Sequence, residues 1–255
     1  MTGSWLASRQ GARVFGVASV IVVIAVVELL IRVGAINRFI VPPPSEILAA
    51  IPRIIVEENV LHRFWQTAQE VVWASLLLAG VGISIGVLLY RYTLLRLACE
   101  SWIGALAAAP IVLMYPLFLV IFGRSATTIV MIGFAAGLAP VILKTTEGLA
   151  GTRPVLIAVG RSFKLTPSQQ FWKILLPSAL PAVFVGLRLG LIFAMINIVG
   201  VEFLINFGGL GQLINELAER YDLPGTYGAI AFVILASVVF FDATERVERW
   251  LRPQA

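Results

Sequence analysis

Long apolar runs alternate with short polar punctuation along almost the whole chain. A helix needs about 20 mostly apolar residues to cross a bilayer. Runs of that kind lie at Val14–Ile36, Ala68–Tyr90, Trp102–Gly123, Ala126–Leu143, Pro177–Leu204 and Tyr227–Phe241. The pattern predicts an all-α membrane protein of about six transmembrane helices in a single domain over residues 1–255. Only a short turn near Arg91–Arg96 parts the second and third runs. Pro110 and Pro116 each remove a backbone donor from the third run, which predicts a kinked or broken helix.

Three connections are more than turns. Val41–Arg63 opens with Pro42-Pro43-Pro44; from Ser45-Glu46 an amphipathic helix is expected to carry Ile47, Leu48, Ile51 and Ile55 on one face. Asn206–Leu223 places Gly208, Gly209 and Gly211 ahead of Leu213, Ile214 and Leu217, a glycine-rich turn into a short helix. The largest polar insert covers residues 144–176. Within it Pro154 suits a first helical turn, and Val155, Leu156, Val159 and Phe163 share a face. Thr166-Pro167-Ser168-Gln169 has the form of a capping box, so a second short helix is expected from Pro167, carrying Phe171, Trp172, Ile174 and Leu175. Pro177 and Pro181 then bracket the entry to the fifth run. Two short helices meeting at a corner near Lys164-Leu165 would expose apolar side chains. Such a patch serves either a protein partner or the lipid headgroups, and periodicity alone does not separate the two.

Composition sharpens this picture. The chain is 59% hydrophobic and only 13% charged, about half the charge of a soluble domain. The net charge of +5 comes from basic residues set between apolar runs, which points to topology rather than to nucleic acid. With the N-terminus inside and six crossings, the inner side receives Arg9, Arg13, Arg91, Arg96, Lys144, Arg153, Arg161, Lys164, Lys173, Arg246, Arg249 and Arg252. The outer side receives Arg38, Arg53, Arg63, Arg124 and Arg220. The excess puts both termini in the cytoplasm. The single Cys99 forbids an intramolecular disulfide, and the single His62 gives no metal-ligand cluster, so neither a metal nor a catalytic residue is expected. The first apolar run is longer than an ordinary signal core.

No Gly-x-x-x-x-Gly-Lys-Ser/Thr loop is present to cradle nucleotide phosphates. An intramembrane enzyme would need a nucleophile and base, a metal set or paired carboxylates, and the lone His and scattered acids argue against it. A membrane anchor or interaction subunit without its own transport path stays open. Among charges at membrane depth, Glu28 and Arg32 are four residues apart and can pair. Arg188 either snorkels or orders the bundle, and Glu202 either bonds loop backbone donors or serves a gate. Gly133, Ala135, Ala136 and Gly137 favour close helix approach.

The insert resembles the EAA loop of ABC-importer permeases, whose consensus runs Glu-Ala-Ala, then a Gly, then Leu-Pro. Leu176-Pro177 with the following Ser-Ala-Leu-Pro, Arg161, Phe171-Trp172 and Gly186-Leu187-Arg188 match. Ala158, Val159 and Gly160 occupy the Glu-Ala-Ala positions, and Lys164 replaces the Gly. A Gly there suggests a left-handed backbone, so Lys164 is expected either to accept strain on the order of 1 kcal/mol or to reshape the corner. Three further stretches resemble the nitrate/sulfonate/taurine branch. They are Phe39 to Leu48, Ala109-Pro110 through Ile121-Phe122-Gly123, and Gly200-Val201-Glu202 followed by Gly209-Leu210-Gly211.

The resemblance implies a type I importer permease fold and a transmembrane subunit of an ATP-driven importer that is not itself an enzyme. It implies coupling to an ATPase through Ala158, Val159, Gly160, Arg161, Ser162, Phe163, Lys164, Leu165, Thr166, Pro167, Phe171, Leu176 and Pro177. It implies a translocation path or gate from Met114, Tyr115, Met195, Asn197 and Glu202, with ordinary helix packing as the alternative for the first four. Two partner ATPase subunits would bind the ATP and Mg. A second permease, identical or homologous, would complete the path. A periplasmic or lipoprotein solute-binding protein would deliver a small anionic solute (nitrate, a sulfonate, taurine or an aromatic acid) at the bacterial inner membrane.

Overall fold

The computed structural model describes residues 9–251, and every regular element among them is helical. Arg252, counted above with the inner charges, lies outside the described residues, as do the side chains of Arg9, Arg13 and Arg249. In chain order the helices are α1 (Arg9–Arg32), α2 (Pro44–Glu57), α3 (Val60–Leu77), α4 (Ile83–Arg91), α5 (Thr93–Ala108) and α6 (Tyr115–Phe122). They continue with α7 (Ala126–Ala150), α8 (Pro154–Ser162), α9 (Pro167–Gln170), α10 (Leu176–Ile205), α11 (Gly209–Glu219) and α12 (Leu223–Leu251). π turns at Leu78–Gly82 and Phe171–Leu175 join α3 to α4 and α9 to α10.

Among the described residues five stretches are long and apolar enough to cross a membrane: Val14–Arg32, Val60–Arg91, Ala126–Ala150, Pro167–Ile205 and Leu223–Arg246. The sixth expected span is not straight. Thr93–Ala108 and Ile111–Phe122 meet at 92°, and Pro110 stands at the break, where its ring excludes the helical hydrogen bond. The run that reads as Trp102–Gly123 is therefore two helical arms, the first beginning nine residues earlier at Thr93.

The fifth span also differs from expectation. It does not start afresh at Pro177; helix runs through the π turn from Pro167 to Ile205. Pro177 would press on the carbonyl four residues before it, that of Lys173, and the wider π turn over Phe171–Leu175 reroutes those carbonyls. The polar insert is also shorter than 144–176, because Lys144–Ala150 continue α7 and the helix stops only at Gly151.

The chain divides into two compact units: one holds residues up to Leu61 with Leu213–Val233, the other His62–Gln212 with residues from Ile234 onward. In the first, Glu28 pairs with Arg32 at 2.7 Å and accepts the Ser45 amide at 3.1 Å, so a carboxylate from α1 caps α2. Ala50 and Ile54 are the buried face of α2, whereas Leu48 and Ile55 are exposed, a one-position rotation from the expected stripe. Asp222 caps α12 through the Gly225 amide and pairs with Arg53 at 2.5 Å.

In the second unit α7 is the central post. It packs along α10 so closely that a side chain on Gly137 would lie 2.4 Å from the Gly190 carbonyl. Ile129, Ile132 and Val141 of α7, Ala194 and Ile198 of α10, and Val71 and Leu78 from the second span form the core. Arg188 reaches Glu245 at 3.9 Å.

Candidate functional site

Two clusters lie at opposite ends of α10. At its start stands the helical corner. Helix α8 closes in a Schellman motif: the Leu165 amide donates to Gly160 O at 3.0 Å and the Lys164 amide to Arg161 O at 2.9 Å. That motif needs a left-handed residue, and Lys164 supplies it with φ +53°. Of the two expectations for this position, strain rather than reshaping is what the backbone adopts. Thr166 and Gln169 then close the capping box with bonds of 3.0 and 3.3 Å. Gly160 sits where the two arms of the corner cross, and a side chain there would meet Ile174 Cδ1 at 2.6 Å. Phe171 and Leu175 anchor the stem against Leu149, Ala179 and Val183, with the Trp172 ring edge-on to Phe171. The side of the corner away from this anchor is apolar and exposed: Val155, Val159, Phe163 and Trp172 keep 70, 45, 77 and 64% of their surface. Ala158, Arg161, Ser162, Thr166 and Pro167 are exposed around it, Leu176 is half-buried and Pro177 exposed.

At the far end of α10, Glu202 is completely buried. Its Oε1 accepts the Thr67 hydroxyl at 2.7 Å and its Oε2 accepts the Gly211 amide at 2.8 Å. Thr67 Oγ1 in turn accepts the Leu210 amide at 2.9 Å, Gln66 accepts that of Gly209 at 3.1 Å, and Gln212 accepts that of Gly208. The donors at the start of α11 that have no partner within the helix are thus satisfied by side chains, with an anion at the positive end. The glycines follow from this. A side chain on Gly209, at φ +76°, would strike the Glu202 carboxylate at 2.1 Å, and one on Gly211 would meet Val199 O at 2.2 Å. The Glu70 carboxyl, 7% exposed, faces Glu202 in the same cluster, and its Oε2 is buried without a hydrogen-bond partner.

Of the residues expected on a path or gate, Met114 is exposed, while Tyr115 and Asn197 are half-buried. Met195 is 8% exposed within the α7–α10 core, and Glu202 offers no surface at all, so within one chain neither lines an open path. Met195 packs into the core, and Glu202 is turned to α3 and the start of α11. Sequence reasoning missed Glu70 and treated the acids as scattered; the signal was Thr67-x-x-Glu70, a polar pair one turn apart at the start of the second apolar run. Packing closes around the pair, so the paired carboxyls leave no room for a substrate.

The profile of the family described as "Binding-protein-dependent transport system inner membrane component" matches residues 79–254. The chain belongs to this family. It is 25% identical over 218 residues, 86% of this chain and 78% of the relative, to a Bacillus subtilis protein named for aliphatic sulfonates transport, the permease SsuC. It is 23% identical over 254 residues, 98% of this chain and 92% of the relative, to the taurine transport system permease TauC of Escherichia coli. The solved MetNI methionine ABC transporter, in an inward-facing form, superposes with a TM-score of 0.65 at 19% identity, covering 74% of this chain and 94% of that one. The fold is that of an ABC-importer permease, all-helical and multi-pass. This family member is a translocation subunit of the inner membrane and not an enzyme; an ABC ATPase is a separate subunit and a solute-binding protein a further partner.

Proposed function

We propose that the permease couples to its ATPase through the corner from Pro154 to Leu175 and carries a small acidic solute inward. The observation that supports this reading is the exposed apolar ridge of Val155, Val159, Phe163 and Trp172 at the start of one unbroken helix from Pro167 to Ile205. Exposed aromatic and branched side chains on a bent helix pair fit a groove on a soluble domain. The 39-residue helix above them is roughly 58 Å long, well beyond the about 30 Å hydrocarbon core. It acts as a stem that transmits movement of the corner to the bundle. Ala158, Val159, Gly160, Arg161, Ser162, Phe163, Lys164, Leu165, Thr166, Pro167 and Phe171 build the docking element, and Leu176-Pro177 its junction with the span.

In this reading the corner and both termini are cytoplasmic. Two ATPase subunits bind ATP and Mg and drive the transporter. A second permease, identical or homologous, completes the path, with Met114, Tyr115 and Asn197 facing it. Met195 and Glu202 act behind that surface, Glu202 by holding the outer loop in place. Relatives named for aliphatic sulfonates, taurine and bicarbonate favour a small solute bearing an acid group.

The test is crosslinking from a single Cys at Ser162 or Ser168 in a Cys99-free background. Crosslinks to an ATPase subunit that change in yield when ATP is added support docking. Labelling by lipid-phase reagents alone, with no ATPase adduct, sinks it. For the solute, titration of the cognate solute-binding protein with sulfonates, taurine, nitrate and bicarbonate should show one tight ligand among them. Tight binding of a cationic solute instead would remove the acid-group reading.

A further inference from the structure

We propose that Glu70 and Glu202 share a single proton, and that this proton latches the second span to the loop between α10 and α11. Glu202 is fixed in place by two donors on different segments, the Thr67 hydroxyl and the Gly211 amide. Glu70 comes to it from α3, one turn after Thr67, as a second buried carboxyl group, and two carboxyls can bond to each other only with a proton between them. With both groups ionised, two like charges would face each other out of water, an arrangement proteins avoid by retaining a proton.

The charged residues along the neighbouring stretches are Arg63 on α3 and Arg124 before α7; the charged group among the described residues that acts on the Glu70 carboxyl is Glu202. Arg124 donates instead to the Asn206 carbonyl. The α7 stretch from Ala126 to Leu143 and the loop from Asn206 to Gln212 carry no charged residue. A metal ion fits poorly. It would require about six oxygen ligands, whereas both Glu202 oxygens and the Thr67 hydroxyl are already engaged, and on α3 and the loop after α10 the unpartnered buried side-chain oxygens among the described residues are Glu70 Oε2 and Asn206 Oδ1 alone. A proton needs no further ligands. The latch is independent of how the inner corner docks.

The experiment is a pH series of thermal unfolding on the purified permease in lipid nanodiscs, for wild type, Glu70→Gln, Glu70→Arg and Thr67→Val. Glutamine mimics the protonated carboxyl and keeps a donor toward Glu202; arginine replaces the shared proton with a fixed charge. From about pH 6 to about pH 9 the wild-type midpoint should fall steadily, because unfolding leaves a carboxyl of ordinary acidity that releases the shared proton, whereas Glu70→Gln and Glu70→Arg should stay flat. Thr67→Val should lower the midpoint at every pH and keep the wild-type slope, because it breaks the loop contact and leaves the carboxyl pair. Parallel profiles for wild type and Glu70→Gln would overturn the proposal. So would a wild-type profile that changes when sodium is exchanged for N-methylglucamine at constant pH, since that would make a metal cation the occupant.

Discussion

Lys164 is a long cationic side chain in a backbone conformation that glycine adopts freely. It stays there because the Schellman bonds from Lys164 and Leu165 and the capping box that begins at Thr166 bracket it on both sides. Lys164→Gly should therefore leave the corner intact and relieve about 1 kcal/mol of strain, partly offset by the freer unfolded chain. The expected readout is an unchanged or slightly higher unfolding midpoint with ATPase stimulation preserved. Collapse of stimulation with the midpoint unchanged would give the ammonium group a specific part in docking. This strain could be anticipated, because the position aligns with a glycine in the permease pattern and the backbone demand outlives the substitution. Glu70 could not be read in the same way. Its significance depends on Glu202, 132 positions along the chain, and only the packing of α3 beside the loop after α10 brings the two together.

Elements in this chain are set by where backbone groups can be satisfied. Asp222 shows this at the start of α12: one oxygen takes the Gly225 amide and the other takes Arg53. Asp222→Asn should keep the cap and lose only the ion pair, worth less than about 1 kcal/mol at so exposed a site. Asp222→Ala should lose both and cost about 1–2 kcal/mol. Unfolding midpoints and amide exchange at the start of α12 separate the two variants, and equal losses would mean that the cap contributes nothing. The contact of α7 with α10 is stricter. Gly137→Ala places a methyl group at 2.4 Å from the Gly190 carbonyl, an overpacking that costs on the order of 1–3 kcal/mol. Gly104→Ala on α5, where nothing lies within 4 Å, should be neutral or slightly stabilising. Comparable loss in both would refute close packing as the reason for Gly137. The small residues from Gly133 to Gly137 announce this approach in the sequence. The unbroken stem through Pro177 does not show there, since a proline reads locally as a helix start and only the π turn before it allows continuation.

At the scale of the whole molecule, the spans could be counted from hydropathy because lipid demands long apolar helices, but their shapes could not. Pro110 signals a break, yet the 92° angle depends on what α5 and α6 pack against. α1 has the highest mean hydropathy of the spans among the described residues, and that alone marks it as a span. Orientation is carried by charge. One set of helix ends gathers Arg91, Arg96, Lys144, Arg153, Arg161, Lys164 and Lys173, whereas the opposite ends of the same helices hold Arg63 and Arg124. Arginine and lysine are retained on the cytoplasmic side during insertion, so the corner should face the cytoplasm and the start of α3 the outside. Both His62 and Ser168 are exposed, which makes them usable reporters. In a Cys99-free background, a cysteine at His62 should react with a membrane-impermeant maleimide in intact cells or spheroplasts. One at Ser168 should react only after permeabilisation. The reverse pattern would turn the molecule over and leave the apolar ridge on the corner out of reach of any cytoplasmic ATPase. Reaction of both from outside would mean an even number of crossings between α3 and the corner, against the three supplied by the second span, the bent pair and α7.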